Sequence, residues 1–328
     1  MSIQDKNNEH FNNKAFEYDL IPQVKEMTAQ ASETILKEFA ASTSEEHVKN
    51  STVLDFGCGT GLASFLVAEK VGHLVGVDAS EGMLTYFHKK LDTLPELAHL
   101  KASNKIHTVN HLITDASPLP EPEFSKYLAG DQGGFDMVYS NYVLHHIEDI
   151  QGIVDTMAKK LVKKGGWLII LDFEGHHVHG GVDHGAPHHG HGQHGHGHDH
   201  GHHDHAHGHG QGHAQHDHAH GHHDHSHGDD HAHGHHDHSH GHDHAHAHSH
   251  GHGHHDHGEK TLDVYTDEDG KPLEYVAHKG GFTPENVAQV FAKAGLVDVS
   301  STRSFGMFRD FRGTQVWTDV LVAKGRRP

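Results

Sequence analysis

Asp55, Gly57, Gly59 and Gly61 follow the apolar pair Val53-Leu54 at two-residue spacing. Asp78 closes a second apolar run, His73-Leu74-Val75-Gly76-Val77. Glycines in such a turn let the backbone take positive φ and lie directly against a ligand. An acid ending the next run offers two oxygens to a pair of ribose hydroxyls. Strand, glycine turn, helix, strand and terminal acid together make a βαβ unit of the size that binds a nucleoside. A dinucleotide would want its third glycine where Leu62 stands, and Asp55 would set a carboxylate against the pyrophosphate. A cationic ligand tolerates that carboxylate. Dinucleotide binding and a turn that has lost its ligand stand as the competing readings.

The pattern Asp55-x-Gly57-x-Gly59-x-Gly61 resembles the first motif of the class I S-adenosylmethionine-dependent methyltransferases, [D/E]-x-G-x-G-x-G. Further segments resemble their small-molecule, ubiquinone/menaquinone-methyltransferase-like members. These are Phe11-x-x-x-Ala15-x-x-Tyr18-Asp19, Phe135-Asp136-x-Val138 with Leu144-His145-His146 and Asp149, and the return through Gly281-Phe282-Thr283 to Ala294-Gly295-Leu296. The resemblance implies S-adenosylmethionine as cofactor and a small-molecule methyl acceptor. It implies that Asp55 and the glycines hold the methionine end, Asp78 the ribose and Asp115 the adenine amino group, with Met83 against the adenine. Tyr18 is implied as a cofactor lid, and Asn141 as a cofactor contact at the end of the fourth strand. Packing roles for Met83, and for Phe11, Phe16 and Tyr18 in an N-terminal helix, are the alternatives.

His145 and His146 are the candidate general bases, because an acceptor hydroxyl attacks a sulfonium better as it loses its proton and imidazole is poised near neutral pH. The other reading is that the pair caps or packs the following helix while methyl transfer runs largely by positioning. The chain lacks the Asn-Pro-Pro-Tyr type of motif used on amino groups of DNA or glutamine, and the several cysteines of an arsenic methyltransferase. The lone Cys58 reads as a small filler in the turn. It cannot form an intramolecular disulfide, which suits a cytoplasmic setting.

The 328 residues divide sharply by composition. Residues 176–258 are 83 positions built almost only of His, Gly, Asp and Ala, and they hold 39 of the 49 histidines. Segment His218–Gly228 recurs as His231–Gly241. With almost nothing apolar to bury, the tract is expected to be a disordered low-complexity insertion. Imidazole at this density is expected to bind Zn²⁺, Ni²⁺ or Cu²⁺, with no particular ligand set singled out. A metal-buffering protein on a degenerate scaffold is therefore the rival to an enzyme. The remaining 245 residues suit one α/β domain. The net charge is −20, and the ten Asp of the tract leave about −10 elsewhere, which gives no electrostatic reason to bind nucleic acid. No apolar run approaches the roughly 18 residues that a membrane span needs, and no apolar leader core is present. The sequence leaves the oligomeric state open.

The expected architecture is a doubly wound, seven-stranded Rossmann-like sheet. Residues 1–22 form an N-terminal segment and lid, 23–175 the cofactor-binding core, 176–258 the insertion and 259–328 the completion of the domain. Residues 1–10, 41–50 and 92–105 read as mobile or linking. Gln23 to Ala40 reads as a helix. Strands are expected at Ile106 to Ile113, Phe135 to Ser140 and Trp167 to Asp172. Lys163-Lys164-Gly165-Gly166 reads as a helix stop. Thr283 and Pro284 signal a helix start. An antiparallel pair at Val297–Ser304 and Val316–Ala323 closes the sheet, joined by an aromatic loop, Phe305–Thr314, whose Phe308, Arg309 and Phe311 are candidates for a substrate mouth or a plain surface loop.

Overall fold

The computed structural model describes residues 2–130, 133–175, 265–267 and 269–328. The expected insertion, with its order and its metal chemistry, lies outside the described residues. Strands β1 (Thr52–Phe56), β2 (His73–Asp78), β3 (Ile106–Asn110), β4 (Phe135–Asn141) and β5 (Val162–Phe173) are joined by β6 (Val297–Phe311) and β7 (Thr314–Arg326). Among the described residues they form one seven-stranded sheet in the order β3-β2-β1-β4-β5-β7-β6. The pairs from β3 to β5 are parallel, and β7 runs antiparallel to both β5 and β6. Strand order reverses between β1 and β4, the place where an open α/β sheet leaves a crevice at its carboxyl edge.

Neighbouring residues of a strand face opposite sides, so one apolar run feeds two cores. Val53, Leu74, Tyr139 and Ile169 pack with Ile35 and Phe39 of helix α2 (Val24–Ser42). Leu54, Val75, Val138 and Ile170 pack on the other side, beneath Phe291 of a later helix. The buried strands are apolar on both faces, as parallel strands under two helical layers must be.

Several linkers of the sequence reading are helices. Residues 3–18 form α1 (Ile3–Tyr18), started by a reciprocal cap in which Asp5 N–H donates to Ser2 Oγ and Ser2 N–H to Asp5 Oδ2. Its surface is polar almost all round, so no apolar stripe announces it. Glu45–Asn50 is α3, capped by Ser44 and buried only at Val48. After α4 (Leu62–Ala68) and α5 (Glu81–Thr93), residues 98–103 form the short α6 (Ala98–Ser103), ended by Asn104 at φ 51°. Strand β3 is shorter than expected and stops at Asn110. Helix α7 (Ile150–Thr156) loosens into a wide turn over Met157–Leu161, so Lys163 to Gly166 open β5 and do not close a helix.

Helix α8 (Pro284–Lys293) begins where expected, with the Thr283 hydroxyl accepting from Asn286 N–H. The expected aromatic loop is instead strand. Strands β6 and β7 pair up to Phe311 and Thr314, and turn on Arg312 and Gly313 alone. Both turn residues have positive φ, 54° and 79°, the conformation that matches a two-residue hairpin to strand twist. No helix among the described residues is long and apolar enough to cross a membrane.

The two ends flanking the insertion meet on the sheet. Phe282 N–H donates to Phe173 O at 3.0 Å, and Gly175 N–H donates to Phe282 O at 2.8 Å. The Tyr265 ring lies 6.3 Å from that of His145, itself 5.2 Å from that of Phe173. Six residues reach roughly 20 Å when extended, enough to close that gap. Deleting residues 176–258 should therefore leave the core folded and shift its stability by no more than about 2 kcal/mol, since closure entropy grows only logarithmically with loop length. Urea unfolding of the deletion variant checks this; loss of the cooperative transition would contradict it.

Candidate functional site

The glycine turn is held from behind. Gly57 and Cys58 N–H groups both donate to Val77 O, at 2.8 and 3.1 Å, tying the end of β1 to the end of β2. Gly57 has φ 72°, and a Cβ there would come within 2.5 Å of Val143 Cγ2. Gly59 N–H donates to Asp78 Oδ2 and Ser80 N–H to Asp78 Oδ1, both at 2.8 Å. Asp78 thus clamps the turn to the start of α5. Burial pushes its pKa up, against these two hydrogen bonds. A carboxylate in that state is short of donors and takes further hydroxyls well.

A cavity opens at this edge between the turn, the end of β4 and α1. Of the expected site residues, Asp55, Gly57, Gly59, Asp78, Met83, Tyr18, Asn141 and His146 line it. Gly61, at φ 88°, does not. Its missing Cβ leaves room for Phe87 and Phe65, each within 2.8 Å of where that atom would sit, so it is a packing glycine. Asp115 does not reach the cavity either. With β3 ending at Asn110, the turn from Thr114 to Ser117 carries Asp115 outward. Its side chain is 79% exposed and pairs with Lys160 at 2.7 Å. His111, Leu112 and Ile113 take the wall position instead.

Asp55 sits beneath the turn, fully buried, with Ser64 Oγ donating to it at 2.6 Å and Tyr139 beside it. Burial raises its pKa to about 7. At the end of β4, Tyr142 holds φ 59°, an outlier for an aromatic residue that stores roughly 1–3 kcal/mol. Asn7 Oδ1, Asn141 Oδ1 and the Tyr142 hydroxyl are buried and have no hydrogen-bond partner among the described residues. All three residues line the cavity. The buried Asp55 and half-buried Asp78 carboxylates, three orphaned polar atoms and an apolar slot of Val77, Met83 and Ile113 suit a ligand with a cationic end, vicinal hydroxyls and a flat ring. Tyr18, its phenol pushed up to about 12 chiefly by burial, is part of the cavity lining.

The two histidines divide. His146 is on the cavity wall, and its Nδ1 lies 2.9 Å from Tyr275 O. A carbonyl only accepts, so Nδ1 carries the proton and Nε2 a lone pair. Burial holds its pKa well below the ordinary histidine value, so the ring is neutral. His145 lies behind it, off the cavity wall. Its Nδ1 is 2.8 Å from Asp172 Oδ1, and its carbonyl accepts from Ala277 and His278 N–H, both at 2.9 Å.

Sequence reasoning missed the residues that latch α1 over the cavity. Asn12 Oδ1 accepts from Ser80 Oγ and Gly82 N–H, both at 2.9 Å. A Cβ on Gly82 would strike the Asn12 backbone at 2.5 Å. At the other end of α1, buried Asp19 accepts from Thr60 Oγ1 and Lys90 Nζ, both at 2.5 Å. Asp19 stood next to Tyr18 in a recognised segment, but no local pattern shows that its partners lie 41 and 71 positions away. Among the described residues no group of three or more His, Cys, Asp or Glu could hold a metal ion.

The family described as "Methyltransferase domain" matches residues 25–239. Curated relatives include the ubiquinone biosynthesis O-methyltransferase of Pelagibacter ubique, 28% identical over 138 residues, 42% of this chain and 48% of that protein. The demethylmenaquinone methyltransferase of Listeria monocytogenes serotype 4a is 29% identical over 135 residues, 40% of this chain and 48% of that protein. The chain thus spans about half the length of these relatives. Among solved structures, the magnesium protoporphyrin IX methyltransferase of Synechocystis PCC 6803 with bound SAM is 12% identical, with 99% of this chain and 98% of that one covered, at a TM-score of 0.47.

Removing one partner of the Asp19–Lys90 pair leaves a buried charge alone, which costs about 3–5 kcal/mol. Asp19→Ala should therefore destabilise far more than the double variant Asp19→Ala/Lys90→Met. Chemical denaturation of both variants reads the difference, and equal losses would mean that the pair is not coupled.

Proposed function

The chain belongs to the methyltransferase-domain family, and from that premise we propose that it transfers a methyl group from S-adenosylmethionine to a small-molecule acceptor. The observation that supports this most is the Asp78 clamp. A half-buried carboxylate, fixed by Gly59 and Ser80 N–H, stands on a cavity wall that also carries Asp55 and the orphaned Asn141 oxygen. In this reading Asp78 accepts the ribose hydroxyls, and Val77, Met83 and Ile113 make the slot for the adenine. Asp55, Asn141 and the turn around Gly57 and Gly59 face the methionine end. Tyr18 and Phe11 on α1 close over it and exclude water. The bound cofactor supplies an electrophilic methyl group on a sulfonium.

His146 is proposed as the residue that meets the acceptor's proton. Its lone pair at Nε2 is kept available by the Tyr275 carbonyl on Nδ1, and its neutrality is enforced by burial. His145 positions it from behind through Asp172 and through ring contact at 4.0 Å. Asp115, held by Lys160 outside the cavity, is not assigned the adenine amino group; the backbone and side chains of residues 111–113 stand there instead.

Two outcomes test this reading. Asp78→Ala should weaken S-adenosylmethionine binding at least tenfold, about 1.4 kcal/mol, as read by calorimetry; unchanged affinity would remove the carrying observation. The second concerns Asp55. With a pKa near 7 it is largely protonated below neutrality, and a cationic ligand favours its ionised form. Binding should then release protons and weaken as the pH falls from 7 toward 6. Calorimetry in buffers of differing ionisation enthalpy measures that release, and Asp55→Asn should abolish it.

A further inference from the structure

Beyond the cofactor cavity the most unusual charge is Arg309 of β6. The chain has five arginines. Arg303 pairs with Glu174 and Asp319, Arg326 with Asp298, Arg312 donates to Thr266 O and Arg327 to Val162 O. Arg309 alone has no oxygen partner among the described residues. Its guanidinium lies over the rings of Phe173, 4.5 Å from the centroid, and Phe311, at 4.7 Å. The side chain is only partly exposed, so bulk water does not fully compensate the charge.

Its charge is also felt by three phenols. Arg309 acts electrostatically on the hydroxyls of Tyr18, Tyr142 and Tyr265. Tyr18 and Tyr142 are shared with the cofactor cavity wall. The Tyr142 ring stacks on Phe173 at 4.9 Å, so one aromatic stack runs from the cavity to the guanidinium. The Tyr142 hydroxyl is buried without a partner and is held in place by a backbone at φ 59°. The nearby carboxylate, Asp172, is already engaged. Its oxygens accept from His145 N–H, His145 Nδ1 and Phe173 N–H. The neighbouring Asp310 is turned to the hairpin tip, where it accepts from Gly313 N–H and Gln315 Nε2. A fixed cation and an orphaned phenol donor, walled by aromatic rings and left unmatched among the described residues, make a receptor for an anion.

Resting on the methyltransferase reading, we infer that Arg309 and the Tyr142 hydroxyl hold a carboxylate of the methyl acceptor, and that the acceptor is a small organic acid with an apolar body. The planar guanidinium fork fits a planar carboxylate with two parallel hydrogen bonds, which an ammonium group would not reproduce. Phe173, Phe311 and Tyr18 supply the apolar surface for the rest of the molecule. The anchored acid would lie across the Tyr142 ring from the cofactor cavity, with His146 on the cavity side.

The test uses the full-length protein saturated with S-adenosylhomocysteine, titrated by calorimetry with benzoate, its neutral isostere benzamide, and phenylphosphonate. Wild type should bind benzoate at least tenfold more tightly than benzamide. Arg309→Met should erase that preference, Arg309→Lys should keep only part of it, and both should leave S-adenosylhomocysteine affinity within twofold. Tyr142→Phe, which keeps the ring stack, should weaken benzoate at least threefold and leave benzamide unchanged. Equal binding of acid and amide, binding of neither, or a preference that survives Arg309→Met would overturn the assignment. Tighter binding of phenylphosphonate than of benzoate would overturn the carboxylate in favour of a phosphoryl group. Failure of wild type to bind S-adenosylhomocysteine would instead overturn the methyltransferase reading, and the acid–amide comparison on the free protein would still decide the role of Arg309.

Discussion

The site depends on one half-buried carboxylate receiving two backbone N–H groups. Asp78 draws the glycine turn and the first turn of α5 onto the same side chain. It gives Gly59, at φ 52°, an acceptor of its own beside the Val77 carbonyl that holds Gly57 and Cys58. The helix start that it fixes is the docking point of α1, through Asn12 on Ser80 and Gly82. Turn, helix and lid therefore share a single electrostatic anchor. A charge held away from water is costly unless hydrogen bonds compensate it, and the two that Asp78 receives from the protein leave capacity for a ligand.

The same economy extends across the cavity. Asp55 is buried with one hydroxyl donor and sits near its titration point. Asn141 and Tyr142 present orphaned polar atoms, and Arg309 rests on rings. By contrast, the buried charges set back from the cavity wall are fully matched. Asp19 has Lys90 and Thr60, and Asp172 has three donors. The division follows the cavity wall more closely than it follows burial, since both sets lie in the interior.

How much of this was legible in the sequence follows from the range of the interactions. The Asp55 to Gly61 pattern and Asp78 lie within one βαβ unit, where spacing alone fixes geometry, and they stand together as expected apart from Gly61. The sheet was readable because parallel strands buried on both faces are long apolar runs, as in Phe135–Tyr139 and Trp167–Leu171. Asp115 failed because its position depends on where β3 stops, and strand ends carry no strong local signal. The second half of α1 was legible only as the alternative, a packing helix carrying Phe11, Phe16 and Tyr18, and its first half was read as mobile, because Asn12 and Asp19 anchor the helix to α5 and the turn and no apolar stripe marks it. The antiparallel pair of β6 and β7 was expected, but its far end was read as a loop because Phe305 to Phe311 alternate poorly. Only the positive-φ pair Arg312-Gly313 marks the true turn.

The position of the histidine tract follows from the same physics. The described chain breaks after Gly175 and resumes at Tyr265, whose ring is near His145. The returning segment is part of the site. Leu273 N–H closes on Tyr265 O, Tyr275 fixes the His146 tautomer, and Ala277 and His278 bind the His145 carbonyl. An insertion at this connection therefore bears on the His145–His146 side of the cavity more than on the glycine turn, and two features protect it. Phe282 pairs with both Phe173 and Gly175, so the sheet edge is sealed independently of what precedes it. The returning segment is pinned by hydrogen bonds to β4-end residues, which the core already holds in place. Closure entropy rises only with the logarithm of length, so once those bonds fix both ends, adding residues between them costs little, and the site geometry is insulated from the length of the tract.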